Sequence, residues 1–325
     1  MKNAYELKKA SKGVICPLVT WLDENGAPDL EAMGKHIITL LKKGLDGGIF
    51  VTGSTGEGPY LTFEEKKAIM ARAVNVVKGK VPVLAGIAAF GTKEAIEFGL
   101  AAQEAGVDAI MAIVPQYFDL TPAELETYYR RVHDGVGKMN LCMYYAPTII
   151  TCSPQVDAEL VFRLAKDKVI CGIKDTVSDW QHVAAIHDLL KTDYTAECNV
   201  WVGTDQALID CLKNEEPDTP SFDGLITSAA NMFPDFYRSL VKAFREPTRN
   251  DVRCAALEKA SEIIRAMFSV QKREIPSLVK QALNFAGVPY AASTAVSSPL
   301  PDLNPDAAAI IADSMAQLKK RGIEP

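Results

Sequence analysis

Between Val81 and Lys174 the chain reads VPVLAG (81–86), AIMAIV (109–114), NLCMYY (140–145) and VICGIK (169–174), four short apolar runs separated by longer amphipathic stretches. Runs of this length, without polar alternation, suit parallel strands buried on both faces. Working outward, runs of the same kind occur at Gly13–Leu18, Gly47–Val51, Val200–Gly203 and Gly224–Ile226. The eight runs lie roughly 23 to 35 residues apart, room for a strand and a returning helix.

The stretches between them carry helix signals. Asp29–Lys43 places Leu30, Met33, Ile37, Leu40 and Leu41 at helical spacing. Thr62 is followed three residues on by Glu65, a capping-box pattern. Thr92 before Ala95–Ala105, Thr121 before Glu124–Val132, and Ser153–Pro154 before Val156–Ala165 open further helices with a polar cap or an early proline. Eight strand–helix alternations favour a closed barrel over an open sheet. An open sheet is also disfavoured by the lack of a GxGxxG or GxxxxGK[ST] phosphate loop. The fold class is therefore α/β, a (β/α)8 TIM barrel over residues 1–245. After Ile226 the strand pattern stops, and Pro234–Phe244, Asp251–Phe268, Pro276–Gly287 and Asn304–Lys320 read as helices. The first closes the eighth unit; the rest make a C-terminal helical extension over 246–325, packed on the barrel. Lys213–Phe222, KNEEPDTPSF, reads as an exposed loop.

Composition narrows the function. The 325 residues carry a formal net charge of −6, with 48% hydrophobic and 23% charged residues, an ordinary globular balance. An acidic chain without a Lys/Arg run argues against nucleic acid as a partner. No uninterrupted apolar stretch of about 18 residues occurs, so no membrane-spanning helix is expected. Met1–Lys12 is polar and lacks the apolar centre of a secretion signal, so a cytoplasmic location is expected. The seven cysteines are odd in number and show no CxxC spacing. They read as buried thiols, Cys142 and Cys171 above all, not as a disulfide framework or a zinc site. His36, His133, His182 and His187 form no HExxH-like cluster and read as surface-helix residues, so no metal and no cofactor are expected.

In a barrel of this kind reacting groups sit at the C-terminal ends of the strands. The sixth run ends Ile173-Lys174-Asp175. A lysine there either faces the barrel mouth or pairs with Asp175; desolvation would free its amine to attack carbonyls. The fifth ends Tyr144-Tyr145-Ala146-Pro147, and alternation lets only one of the two rings face the centre. A phenol there could pass protons to and from a Schiff base. The second leads into Gly53-Ser54-Thr55-Gly56-Glu57-Gly58, whose amides and hydroxyls suit a carboxylate. The fourth ends Val114-Pro115-Gln116-Tyr117.

Six marks in order, GSTGEG (53–58), VPQYF (114–118), YYAP (144–147), GIKDT (172–176), GTD (203–205) and DGLITSAAN (223–231), resemble the N-acetylneuraminate lyase and dihydrodipicolinate synthase family of class I aldolases. The resemblance runs from about Gly13 to Asn231 and more weakly beyond. It implies a cofactor-free Schiff-base lyase acting on a small 2-oxo acid. It matches Lys174 to the imine-forming lysine and Tyr144 to the proton-relay tyrosine. Thr55 matches the threonine that links this tyrosine to a second one, Tyr117, which many members lend to a neighbouring subunit in a dimer or tetramer. Gly53, Ser54 and Thr55 fall in the carboxylate-binding turn, and Ile226 has a backbone carbonyl near the imine. Asp205 and Ser228 match positions that touch the sugar chain in sialic acid lyases. The chain departs from the pattern at Tyr145, where many members have asparagine. Ile149 stands where the synthases carry a carboxylate-gripping arginine, and Gln206 where the sialic acid lyases carry glutamate. GIKDT resembles the branch acting on 2-keto-3-deoxy sugar acids. Aldolase or dehydratase action on such an acid is the leading expectation; a dihydrodipicolinate synthase, an N-acetylneuraminate lyase and a non-catalytic acid-binding barrel are the alternatives.

Overall fold

The structure, a computed structural model, describes residues 1–147, 149–150, 154–193, 195–215, 219–248, 250–269, 272–291 and 293–325. All eight apolar runs form strands: β1 (Val14–Pro17), β2 (Gly48–Val51), β3 (Val83–Ile87), β4 (Ala109–Ile113), β5 (Leu141–Tyr145), β6 (Gly172–Asp175), β7 (Asn199–Val202) and β8 (Gly224–Ile226). Each pairs in parallel with the next, and β8 closes the barrel on β1 through Val14–Leu225 and Ile15–Ile226. Closure leaves no edge strand, so the strand residues are buried on both faces, Gly86 being half-buried, as their mostly apolar sequences require; the polar exceptions are Lys174, Asp175 and Asn199.

The helices are α1 (Ala4–Ala10), α2 (Leu30–Lys42), α3 (Phe63–Val77), α4 (Thr92–Glu104), α5 (Pro122–Val136) and α6 (Ala158–Lys166), followed by α7 (Trp180–Lys191), α8 (Asp205–Asn214) and α9 (Pro234–Arg245). Beyond them lie α10 (Asp251–Met267), α11 (Ile275–Phe285) and α12 (Pro305–Lys319). Thr62 and Thr121 cap α3 and α5 with full capping boxes, as the sequence predicts. Two starts differ. Gly91, not Thr92, caps α4. The helix expected from Val156 begins at Ala158, because the Asp157 carboxylate accepts the Leu160 N–H at 2.8 Å; Ser153 lies outside the described residues.

The polar N-terminus folds into α1, which the sequence reading did not foresee. It packs at the start of the strands: Leu7 is fully buried, Lys8 Nζ donates to the Ala196 carbonyl, and Trp201 Nε1 donates to the Ser11 carbonyl at 2.8 Å. One buried residue in seven leaves no periodicity to read.

Of the 213–222 segment, residues 216–218 lie outside the described residues; Lys213, Asn214 and Thr219 are exposed as expected, whereas Ser221 and Phe222 are buried. Lys213 and Asn214 finish α8, Phe222 is buried, and the Glu215 carboxylate pairs with Arg245 at 2.7 Å and accepts the Ser221 N–H. The Arg245 guanidinium neutralises the buried Glu215 charge locally. Among the contacts that join the C-terminal helices to the barrel is a fully buried ion pair: Lys280 Nζ on α11 lies 2.6 Å from Glu57 Oε1, with both side chains wholly inaccessible. Burial pulls the Lys280 amine below its ordinary value and the Glu57 charge opposes this.

Candidate active site

The C-terminal rim of the barrel gathers the predicted residues unevenly. Lys174 sits on β6 directly beside Tyr144 on β5. Its side chain is 5% exposed, and Nζ stands 4.1 Å from the Tyr144 ring centroid and 5.2 Å from that of Phe50. Among the described residues two aromatic faces, and no carboxylate, stand next to this amine. The neighbouring Asp175 turns away: its carboxylate accepts the Val177 N–H at 3.0 Å and meets His182. Room beside the lysine depends on Gly203, where a Cβ would lie 2.4 Å from Thr176 Oγ1 and 3.2 Å from Lys174 Cε.

Tyr144 faces the barrel centre, while Tyr145 on the other face packs against the His182 ring. Burial alone would raise the Tyr144 phenol. The adjacent Lys174 charge, with the nearby Ser54 and Thr176 hydroxyls, more than reverses this and holds the phenol below its ordinary value. A phenol so placed is suited to exchange a proton with the amine or with a ligand bound to it.

The turn after β2 is unusually tight. Thr52 adopts φ 55° and Glu57 φ 58°, a region that costs a β-branched residue on the order of 1–3 kcal/mol and that clusters at functional sites. Gly58 has no substitute, since a Cβ there would lie 1.8 Å from the Thr52 carbonyl oxygen. The turn closes on itself through Glu57 N–H to Ser54 O and Gly58 N–H to Gly53 O, and Thr20 Oγ1 anchors the Gly56 carbonyl at 2.7 Å. Gly53 and Ser54 line a recess of about 50 Å³ shared with Phe50, Tyr144 and Ile149. Thr55 points elsewhere: its hydroxyl shares a 2.7 Å hydrogen bond with Ser228.

A second, larger cavity of about 420 Å³ opens beyond Gly203, lined by Asp205, Gln206, Thr227, Ser228 and, from α10, Arg265. Asp205 accepts from Thr227 Oγ1 at 2.8 Å. Ile226 ends β8 and is not among the residues that line this cavity, though its neighbour Thr227 is. Tyr117 is not gathered with the others. It is 69% exposed, and among the described residues its ring meets Phe90 and Phe118, themselves 69% and 71% exposed.

Three supports escaped the sequence reading. Asn231 is a hub: it donates to Pro17 O and Ser228 O and accepts from Val19 N–H and from His36. His36 is wholly buried and His187 nearly so, which overturns the surface reading of these histidines. Burial lowers His36 to about 4 against the opposing Asn231 bond, so it is neutral, donating from Nε2 and accepting the Tyr290 hydroxyl at Nδ1. His182 lies half-buried between two acceptors, Asp175 Oδ2 at 2.6 Å and the Val156 carbonyl at 2.8 Å, a setting that satisfies both N–H groups of a charged ring. Its bond to Asp175 raises it above its ordinary value despite burial. Because the folded value exceeds the unfolded one, this stabilisation is complete below about pH 6.5 and lost as pH rises through the folded value. The melting-temperature gap between wild type and His182→Gln is therefore expected to be wider at pH 6 than at pH 9. Equal gaps would show a neutral ring.

The described thiols, Cys16, Cys142, Cys171, Cys198, Cys211 and Cys254, are free and buried, as read from sequence; Cys152 lies outside the described residues. Among the described residues no helix is long and apolar enough to cross a membrane.

The closed eight-stranded barrel thus carries a buried lysine and a buried phenol side by side at its C-terminal rim. The chain belongs to the dihydrodipicolinate synthetase family, whose model matches residues 10–317, and it is an enzyme of that pyruvate-dependent lyase class. It is 30% identical over 285 residues to a probable 2-dehydro-3-deoxy-D-pentonate aldolase, YjhH, of Escherichia coli K12, covering 87% of this chain and 89% of that protein. A 4-hydroxy-tetrahydrodipicolinate synthase of Staphylococcus saprophyticus is 32% identical over 232 residues, covering 71% and 74%. The crystal structure of E. coli YagE in complex with pyruvate superposes with a TM-score of 0.83 at 29% identity, covering 94% of this chain and 98% of that one.

Proposed function

We propose that this chain cleaves or dehydrates a 2-keto-3-deoxy sugar acid through an imine on Lys174. The observation that carries the reading is the buried Lys174 amine 4.1 Å from the Tyr144 ring, with Ser54 and Gly53 facing the same phenol across a small recess. The carboxylate of the acid rests on the Gly53–Thr55 turn. Tyr144 accepts the proton that leaves Lys174, and the amine adds to the C2 carbonyl; Tyr144 then returns its proton to the carbinolamine hydroxyl, which departs as water and leaves the protonated imine and the phenolate. Tyr144 then takes the proton of the C4 hydroxyl. The C3–C4 bond breaks, its electron pair flows into the imine as an enamine, and an aldehyde departs. Protonation at C3 and hydrolysis release pyruvate. In the dehydrating variant C3 loses a proton and C4 loses its hydroxyl as water, from the same imine.

The larger cavity supports a hydroxylated chain as the remainder of the substrate. At about 420 Å³ it is in the usual range of ligand sites, and its carboxylate, amide, guanidinium and hydroxyl groups suit sugar hydroxyls on both the donor and acceptor side. Names of relatives agree with this substrate class: YjhH and YagE are named as probable or putative aldolases of 2-dehydro-3-deoxy acids. Condensation with aspartate semialdehyde is disfavoured by Ile149, which lines the recess and cannot pair with a carboxylate. Gln206 on the wall of the larger cavity weighs against a sialic acid. The test is borohydride reduction with pyruvate and peptide mass spectrometry. A reduced adduct on Lys174 is expected; a folded protein giving none in excess pyruvate would favour a non-catalytic acid-binding barrel.

Phe90, Tyr117 and Phe118 support assembly of this chain with itself, since three exposed aromatic rings form one contiguous patch. Sedimentation of the wild type is expected to show a dimer or tetramer, and Phe118→Asp to shift it toward smaller species. A fully active wild-type monomer would remove Tyr117 from the reaction.

A further inference from the structure

We infer that the Glu57–Lys280 ion pair is a positioning device by which the C-terminal extension fixes the carboxylate-binding turn after β2. This rests on the reading of that turn given above. The two residues are 223 positions apart and fully buried, and the Glu57 carboxylate takes both the Lys280 ammonium at 2.6 Å and the Ser297 N–H. Lys280 donates in addition to the Ala295 carbonyl. Glu57 is itself a turn residue with a left-handed backbone, and its N–H donates to the Ser54 carbonyl. Anything that lets the Glu57 side chain relax therefore turns the peptide that carries Ser54, which lines one recess with Tyr144.

Stability alone is a poor reason for this pair. Desolvating two charges costs about as much as their attraction returns, and well-packed apolar replacements are often neutral or better. What an ion pair adds is direction: Glu57 is held by two donors from two segments, which fixes its rotamer and, through it, the backbone of the turn. An apolar pair of equal volume would fill the space and leave that direction unset. The substrate carboxylate would then meet Ser54 and the turn amides in a broader distribution of geometries, and misplacement of about 1 Å costs up to ~100-fold.

The experiment compares wild type with Glu57→Met/Lys280→Met, Lys280→Met alone, Glu57→Gln and Lys280→Arg. Each is measured for thermal unfolding and for borohydride trapping across pyruvate concentration. The double variant is expected to fold, with half-saturating pyruvate raised ~10-fold or more and the trapping rate at saturation within ~3-fold of wild type, the pattern of lost ground-state placement. Lys280→Met alone strands a buried carboxylate and is expected to fold poorly. Lys280→Arg is expected to restore most of the affinity. If the double variant does not fold, Glu57→Gln, which keeps the shape but has one accepting oxygen for the two donors and so gives up the charge and one contact, is expected to raise half-saturating pyruvate several-fold. Half-saturation unchanged in every folded variant, with only melting temperature or active fraction lowered, would make the pair merely structural and overturn the inference. A wild type that traps no pyruvate overturns the proposed function and this inference with it.

Discussion

Lys174→Met is expected to eliminate pyruvate trapping and to lower turnover by on the order of 10⁵- to 10⁶-fold, the scale on which an enzyme loses a covalent nucleophile. Methionine nearly preserves the volume of the side chain, and the surroundings are already made for an apolar stem: Phe50 and Tyr144 offer their faces, and Gly203 lies against Cε. The amine is therefore removed with little disturbance of packing, and the melting temperature is expected to hold or rise, because a desolvated amine is replaced by a thioether. Any activity left would come from binding and orientation at the turn and the larger cavity. Turnover above about 1% of wild type in a preparation free of contaminating enzyme would show that the reaction does not pass through Lys174.

What the chain disclosed of itself follows from the range of the forces involved. Strands such as Ala109–Ile113 and Leu141–Tyr145 are legible because burial on both faces imposes apolar residues at every position. Caps such as Thr62 and Thr121 are legible because the capping bond spans three residues. The placement of Lys174 beside Tyr144 follows once both are known to end adjacent strands, since register is fixed by closure of the barrel. The partners of Glu57 and Asn231 are of another kind. Lys280 reaches Glu57 across 223 residues and Asn231 reaches Val19 across 212, so neither bond leaves a local pattern. A buried histidine such as His36 occupies an ordinary inward position of an amphipathic helix, and only the unseen Asn231 and Tyr290 make it tolerable there. The turn of Ser54 and Thr55 was recognisable by its glycines, yet the divergence of the two hydroxyls, one toward Tyr144 and one onto Ser228, depends on the left-handed backbone at Thr52 and Glu57.

Tyr144→Phe is expected to lower turnover by roughly 10²- to 10⁴-fold, the usual scale of a positioned proton donor and acceptor. The ring stays: phenylalanine retains the face presented to Lys174 and the edge-on contact with Phe50, whose centroid is 6.5 Å away. Only the oxygen is lost, so stability is expected to change by about 1 kcal/mol. The oxygen matters because the lysine itself enhances its acidity: burial works against the phenolate, and the adjacent ammonium, with the nearby Ser54 and Thr176 hydroxyls, overcomes it. Once the amine becomes part of a protonated imine the positive charge persists, so the phenolate is still favoured when the substrate hydroxyl must give up its proton. Imine formation needs this group less than bond cleavage does, because solvent can carry the amine's proton before the substrate is enclosed. Trapping of pyruvate by Tyr144→Phe is accordingly expected to fall much less than turnover of the full substrate. Equal losses in both measurements would place Tyr144 at imine formation alone, and turnover within about 3-fold of wild type, far short of the ordinary general acid–base effect, would remove it from the reaction and leave its contact with Lys174 a matter of packing.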